Sequence, residues 1–297
     1  MVAVVPPRDL ECVVNVSEGR DLAVVDRIAT AGGACLLDVH SDPDHNRSVL
    51  TLAGTDTDLW DAVQAVVAEA VEHIDLTSHR GVHPRLGAAD VVPFVPLLPA
   101  GQPTAAGGAS LDVALGLRDR FARWAGTALA LPCFLYGPER SLPEVRAGAF
   151  RSLSPDTGPA TPHPTAGASA VGARHALVAY NLWLAPAVDD PRHADDLVAA
   201  ARRIAAQLRG PGVRALGLAV AGTAQVSCNL IDPVHVGPEL VHDRVVAAAE
   251  ADGLRVARAE LVGLVTDAVL ERVPARRWAE LGLSAERTVE ARLAESR

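Results

Sequence analysis

Between His79 and Phe94 a polar, basic and glycine-rich run, His79-Arg80-Gly81-Val82-His83-Pro84-Arg85-Leu86-Gly87-Ala88-Ala89-Asp90, meets the apolar stretch Val91-Val92-Pro93-Phe94. Residues of these types, crowded at the mouth of an apolar run, suit a site better than a packed core. Pro84 biases His83 towards extended backbone angles, which puts that histidine on a loop entering the strand Asp90 to Pro96. An imidazole with an unperturbed pKa of about 6.5 can take and return protons near neutrality, and Arg80, Arg85 and Asp90 are close enough in sequence to tune it. The competing reading is a loop histidine bonded only to backbone.

Other residues invite similar scrutiny. Asp38, His40, Asp42, Asp44, His45 and Asn46 alternate carboxylate and imidazole as a metal loop would. A turn between two strands favours Asp, Asn and Pro for conformational reasons alone, however, and no second cluster completes a coordination set. No metal is therefore expected, while Arg47, Asp38 or His40 could orient His83 or a substrate. The cysteines Cys12, Cys35, Cys133 and Cys228 lack any paired spacing and sit in apolar contexts, so they read as buried free thiols. All 27 permanent cations are arginine. Without lysine, a phosphate loop ending in Gly-Lys and Schiff-base chemistry are both excluded, because guanidinium does not deprotonate. The net charge of -9 and the 3% aromatic content speak against nucleic acid as a partner.

Two domains are expected of 297 residues, nearly half of them hydrophobic. No apolar run is long enough to span a bilayer, and Met1 to Leu10 has no basic segment before an apolar run, so a cytoplasmic protein is expected. Hydrophobic periodicity predicts a strand at Glu11 to Val16, a helix at Arg20 to Thr30, strands at Cys35 to Val39 and Ser48 to Ala53, and a helix at Asp58 to Ile74 capped by Asp56 or Asp58. A fourth strand follows at Asp90 to Pro96. The order is β-α-β-β-α-β, the ferredoxin-like unit. A helix at Leu111 to Ala125 and a strand at Pro132 to Tyr136 extend it. After a joining loop from Ser154 to Gly172 the order repeats: strand Ala176 to Leu184, helix Asp195 to Leu208, strands Val213 to Val220 and Ala224 to Ile231, helix Glu239 to Ala251 and strand Val256 to Val265. The expected fold class is α+β, with two ferredoxin-like subdomains packed around a ligand cleft.

Several segments resemble one family, the folate-dependent formiminotransferases. Glu11 to Arg20 (ECVVNVSEGR) resembles the family's opening strand and turn, Leu36 to Leu52 (LLDVHSDPDHNRSVLTL) its first hairpin, and Gly81 to Pro96 the segment holding its catalytic histidine. Pro155 to Pro159, His163 to Gly167 and Gly172 to Arg174 resemble its folate-contacting loop. Ala224 to Leu230 and Glu260 to Val265 resemble strands of its second half. Val82 departs from the pattern, standing where an acidic neighbour of the histidine is expected. The resemblance implies an N-terminal subdomain over residues 1–174 and a C-terminal one over 175–297.

It also implies transfer of the formimino group of N-formimino-L-glutamate to N5 of tetrahydrofolate, with tetrahydrofolate as co-substrate. His83 would be the catalytic base and acid. Gly158, Pro159, Ala160, Thr161, Pro162, His163, Pro164, Thr165, Ala166 and Gly167 would form the folate loop, mobile until a pterin sits under it. Gly167 and Gly172 would let backbone approach a flat ring, with an N–H nest for carboxylates. A homodimer is implied, as is release of product to a separate cyclodeaminase, since no such domain follows the transferase part. Two other activities fit the same residues: formyl transfer from N-formylglutamate, and ATP-dependent closure of 5-formyltetrahydrofolate. A non-catalytic folate- or small-molecule-binding module is the reading from another class.

Overall fold

The computed structural model describes residues 10–97, 108–187 and 194–295. The expectation about Met1 to Leu10 therefore falls almost wholly outside the described residues. Two compact units divide the chain, 1–175 and 176–297.

In the first unit β1 (Leu10–Val16), β2 (Leu36–Asp42), β3 (Arg47–Gly54) and β4 (Ala89–Pro96) alternate with α1 (Leu22–Thr30) and α2 (Asp56–His73). Each helix begins where a side chain captures free N–H groups. Asp21 accepts from Ala23 and Val24 ahead of α1. Thr55, rather than Asp56 or Asp58, caps α2: its hydroxyl accepts from the Asp58 N–H while bonding the Asp58 carboxylate. The sheet runs β2-β3-β1-β4-β6-β5. Its first four strands pair antiparallel, and β6 (Ser169–Ala173) then adds parallel to β4, with β5 (Cys133–Tyr136) parallel to β6.

One face of this sheet closes on α1, α2 and α3 (Gly108–Ala128) through Val14, Leu50, Leu52, Val63, Phe94 and Phe121, all fully buried. Each such side chain contributes about 1.5–3 kcal/mol of transfer free energy. The opposite face carries Asn15, Arg47 and Val91, and at one end α4 (Leu142–Gly148) covers Phe134 and Tyr136 through Val145. The periodicity missed α4. Its start was nevertheless written in the sequence, where Ser141 and Glu144 have capping-box spacing and the Glu144 carboxylate accepts from both the N–H and the hydroxyl of Ser141.

The joining loop expected from Ser154 to Gly172 needs correction as well, because its end is β6. Five small residues, Ser-Ala-Val-Gly-Ala, are buried on both faces and so show no alternation to read. Gly172 is also reassigned. A Cβ there would overlap the Tyr136 ring, so the flat group that this glycine admits is the protein's own tyrosine.

The second unit repeats the order with β7 (Val178–Pro186), α5 (Ala194–Leu208), β8 (Val213–Val220), β9 (Thr223–Leu230), α6 (Pro238–Ala251) and β10 (Leu254–Val262) in an antiparallel sheet β10-β7-β9-β8. Leu182, Val226, Val241 and Leu261 lie in its own separate core. Both units are thus ferredoxin-like within an α+β architecture. The four cysteines are free and buried. Among the described residues no helix is long and apolar enough to cross a membrane.

Candidate functional site

His83 sits on a loop held from two sides. The β2–β3 turn supports the first side: the Val82 N–H donates to the Asp44 carbonyl, and the Asn46 amide donates to the Arg80 carbonyl. Gly81 is required here, since a Cβ would collide with the His45 carbonyl. On the second side Leu76, Ala88 and Ala168 donate to Thr165, Ala166 and Leu86 in turn, stitching the loop to the segment before β6. A side chain on such a support keeps one orientation, as proton transfer requires.

The half-buried His83 ring places Nδ1 at 2.7 Å from the Pro84 carbonyl oxygen. A carbonyl can only accept, so Nδ1 carries the proton and Nε2 is left with the lone pair of a base. The orienting group is therefore backbone. Val82, where an acidic neighbour was expected, is exposed and supplies no partner for the ring.

Behind the ring lies a charge cluster. Asp90 is fully buried, and its Oδ2 accepts from Arg47 Nη1 and from Arg146 Nη2, at 2.6 Å for the latter. Asp90 Oδ1 takes the Leu86 N–H and a longer 3.3 Å bond from Arg146 Nη1. Arg47 in turn grips Asn15 Oδ1 through Nε and Nη2. Burial alone would raise the Asp90 pKa, but the two guanidiniums outweigh it and hold the carboxyl well below the usual carboxylate range. For His83 the balance goes the other way. Loss of hydration, then Arg47, push the imidazole down to about 3, against smaller opposing effects of Asp90 and the Pro84 carbonyl. The ring is accordingly neutral at physiological pH, with Nε2 free to accept a proton.

Of the residues that the sequence offered as helpers, Arg47 reaches the site. The turn residues Asp42 and Asn46 are used by the fold: Asp42 Oδ1 accepts from the N–H groups of Asp44 and His45, and Asn46 Oδ1 from the Gly19 N–H. The grouping among the described residues with metal-ligand proximity is instead Glu69, Glu72 and His73 on α2, and Glu72 is exposed there.

The expected folate loop divides into two parts. Gly158, Pro159, Ala160, Thr161 and Pro162 form an exposed ridge, with Gly158 at φ +83° packed on Gly126. His163, Pro164, Thr165, Ala166 and Gly167 form a tight turn in which His163 exchanges backbone hydrogen bonds with Gly167, and His163 Nδ1 accepts from Ala166 at 3.0 Å. Ala166 is fully buried, with its N–H and carbonyl both engaged by the fold. Gly167 has φ +70°, and a Cβ there would lie 2.5 Å from the Leu86 carbonyl oxygen, so its glycine is demanded by the backbone.

Two residues escaped the sequence reading, and a third, His45, was read there only as part of a turn. Arg146 and Asn15 converge on the site only through tertiary contacts. His45, at 7% exposure, packs its ring 5.7 Å from that of His83, and its Nε2 has no partner.

Known proteins resemble this chain over most of its length. The family described as "Formiminotransferase domain, N-terminal subdomain" matches residues 10–174. A glutamate formimidoyltransferase of Streptococcus pyogenes serotype M1 is 36% identical over 281 residues, which cover 86% of this chain and 88% of that protein. One from Thermoplasma acidophilum is 35% identical, covering 88% of this chain and 89% of its own length. A formimidoyltransferase-cyclodeaminase of Sus scrofa is 33% identical over 288 residues, and this chain spans 50% of its length. With the N-terminal subdomain matched throughout the unit that holds His83, and these relatives aligned over most of both units, the chain belongs to the formiminotransferase family.

Proposed function

We propose that this protein transfers the formimino group from N-formimino-L-glutamate to N5 of tetrahydrofolate, releasing L-glutamate, with His83 as the proton carrier. What supports the reading is the formiminotransferase subdomain matched over residues 10–174, and within it the fixed tautomer of His83. Nδ1–H is committed to the Pro84 carbonyl, so Nε2 presents a lone pair at a position braced from two sides.

The reaction forms a bond between N5 and the formimino carbon and breaks the bond from that carbon to the glutamate nitrogen. N5 loses a proton as it attacks, and the departing nitrogen gains one as the tetrahedral intermediate collapses. His83 Nε2 accepts the first and returns it in the second step, a contribution on the order of 10²–10⁴-fold. The carbon keeps its oxidation level, so no electrons need leave or enter. The exposed ridge Gly158 to Pro162 is the part of the loop available to cover a folate. The turn His163 to Gly167 supports it and carries the His83 loop. Glycine at 167 serves that support.

The finer features are part of the same reading: a homodimer in the cytoplasm, with a separate cyclodeaminase consuming the product. The test is to incubate the protein with tetrahydrofolate and either N-formimino- or N-formyl-L-glutamate and to measure free glutamate. Release from the formimino donor, absent in His83→Ala, is the expected result. Release from the formyl donor alone would assign the alternative transfer, and tight folate binding without release from either would leave a binding module.

A further inference from the structure

Asp90 needs one counter-charge and has two. Arg47 and Arg146 set two positive charges against a single fully buried carboxylate, and their side chains are only 10% and 22% exposed. Asp90 has nothing left to offer, since its oxygens already take Arg47, Arg146 and the Leu86 N–H. The guanidiniums do. Each has five N–H groups, and the bonds described occupy three on Arg47 and three on Arg146. A surplus cation with unspent donors, held in a rigid fork, matches a carboxylate.

The place of this surplus fixes which carboxylate. Arg146 Nη1 donates to the Pro84 carbonyl at 3.2 Å, the same oxygen that takes His83 Nδ1–H at 2.7 Å. Guanidinium and imidazole thus meet at one atom, and a carboxylate seated on Arg146 lies beside the proton carrier. In the amino-acid donor the α-carboxylate is three covalent bonds from the carbon under attack. The carboxylates of a folate's glutamyl tail lie beyond its aminobenzoyl ring, far from N5. Resting on the proposed transferase reading, we infer that Arg146, backed by Arg47 and fixed by Asp90, is the binding site for the α-carboxylate of the donor amino acid.

A consequence follows for His83. An anion bound there offsets the positive charge that now depresses the imidazole, so the base gains strength when the donor is in place.

The experiment measures three things on wild type, Arg146→Gln and Arg146→Lys: L-glutamate affinity by calorimetry, donor KM, and the Kd of tetrahydrofolate and of tail-less tetrahydropteroate. The donor is compared with its α-amide and its γ-amide. Arg146→Gln is expected to weaken L-glutamate and raise donor KM by roughly ten- to a hundred-fold, as loss of a charge-assisted pair does. Folate affinity should be unchanged, and Arg146→Lys should recover part of the loss. The α-amide should be poor for wild type and no worse for Arg146→Gln, whereas the γ-amide should suffer from the substitution as the donor itself does. Wild type taking the α-amide as well as the donor would overturn the assignment, and this arm needs no variant to fold. A loss confined to tetrahydrofolate, with tetrahydropteroate unaffected, would move the site to the folate tail and overturn it equally. Glutamate binding is read without turnover, so failure of the transferase reading shows separately as absent glutamate release by a protein that still binds it.

Discussion

At the scale of single residues, the proposed function rests on a neutral imidazole whose tautomer is dictated by a backbone carbonyl. His83→Asn should lower kcat by about 10²–10⁴-fold while leaving the circular dichroism spectrum unchanged. A kcat within a few-fold of wild type would remove His83 from the mechanism. The same imidazole makes stability pH-dependent with a definite sign. Its folded pKa is pushed down to about 3, below the unfolded value of about 6.5. Between these values the unfolded chain binds the proton and the folded chain does not, so stability falls as the pH is lowered through this window. His83→Asn removes that contribution. Its urea midpoint relative to wild type should therefore rise from about pH 7 to about pH 4, and a constant difference would show that burial does not penalise the charged ring. Asp90→Asn tests the charge cluster. Taking the anion from between two arginines leaves buried cations uncompensated, a cost of about 3–5 kcal/mol in unfolding free energy. A loss below about 1 kcal/mol would mean that solvent already screens the pair.

At the scale of elements, the site is a meeting of connections on a rigid sheet. The β2–β3 turn, the loop before β4, the turn before β6 and α4 each contribute one support, and β1 and β3 contribute Asn15 and Arg47 from the face away from α1 and α2. Gly167 illustrates how support and site are coupled. At φ +70° and against the Leu86 carbonyl, Gly167→Val should lower the melting temperature by several degrees for each kcal/mol lost, and should weaken folate binding only together with that loss. A raised folate Kd at an unchanged melting temperature would instead place position 167 against the ligand. The glycine was legible in the sequence, but its reason was not. A residue type reports that a backbone position is unusual, whereas the partner making it so, here Leu86, comes from another part of the chain.

At the scale of the whole molecule, two cores repeat one architecture. Leu182 is fully buried in the second core, so Leu182→Ala should cost about 2–5 kcal/mol. Amide exchange is expected to speed up through β7, β9 and β10 and far less through β1, β3 and β4; equal acceleration everywhere would show that both units unfold as a single cooperative block. The two-fold repeat of β-α-β-β-α-β was present in the sequence because each sheet has one apolar face, and alternation with period two or 3.6 records burial residue by residue. The free cysteines and the polar loop around His83 were legible in the same local way, by residue type and near neighbours. Other features depended on tertiary structure. The strand Ser169–Ala173, buried on both faces, left no periodic trace. Arg146 joins Asp90 across a separation of 56 residues, and the partner of His83 is a carbonyl that every residue type carries. Local sequence records which side of an element faces the core, whereas the pairing of charges and the choice of tautomer depend on distances between elements, which exist only once the chain has folded.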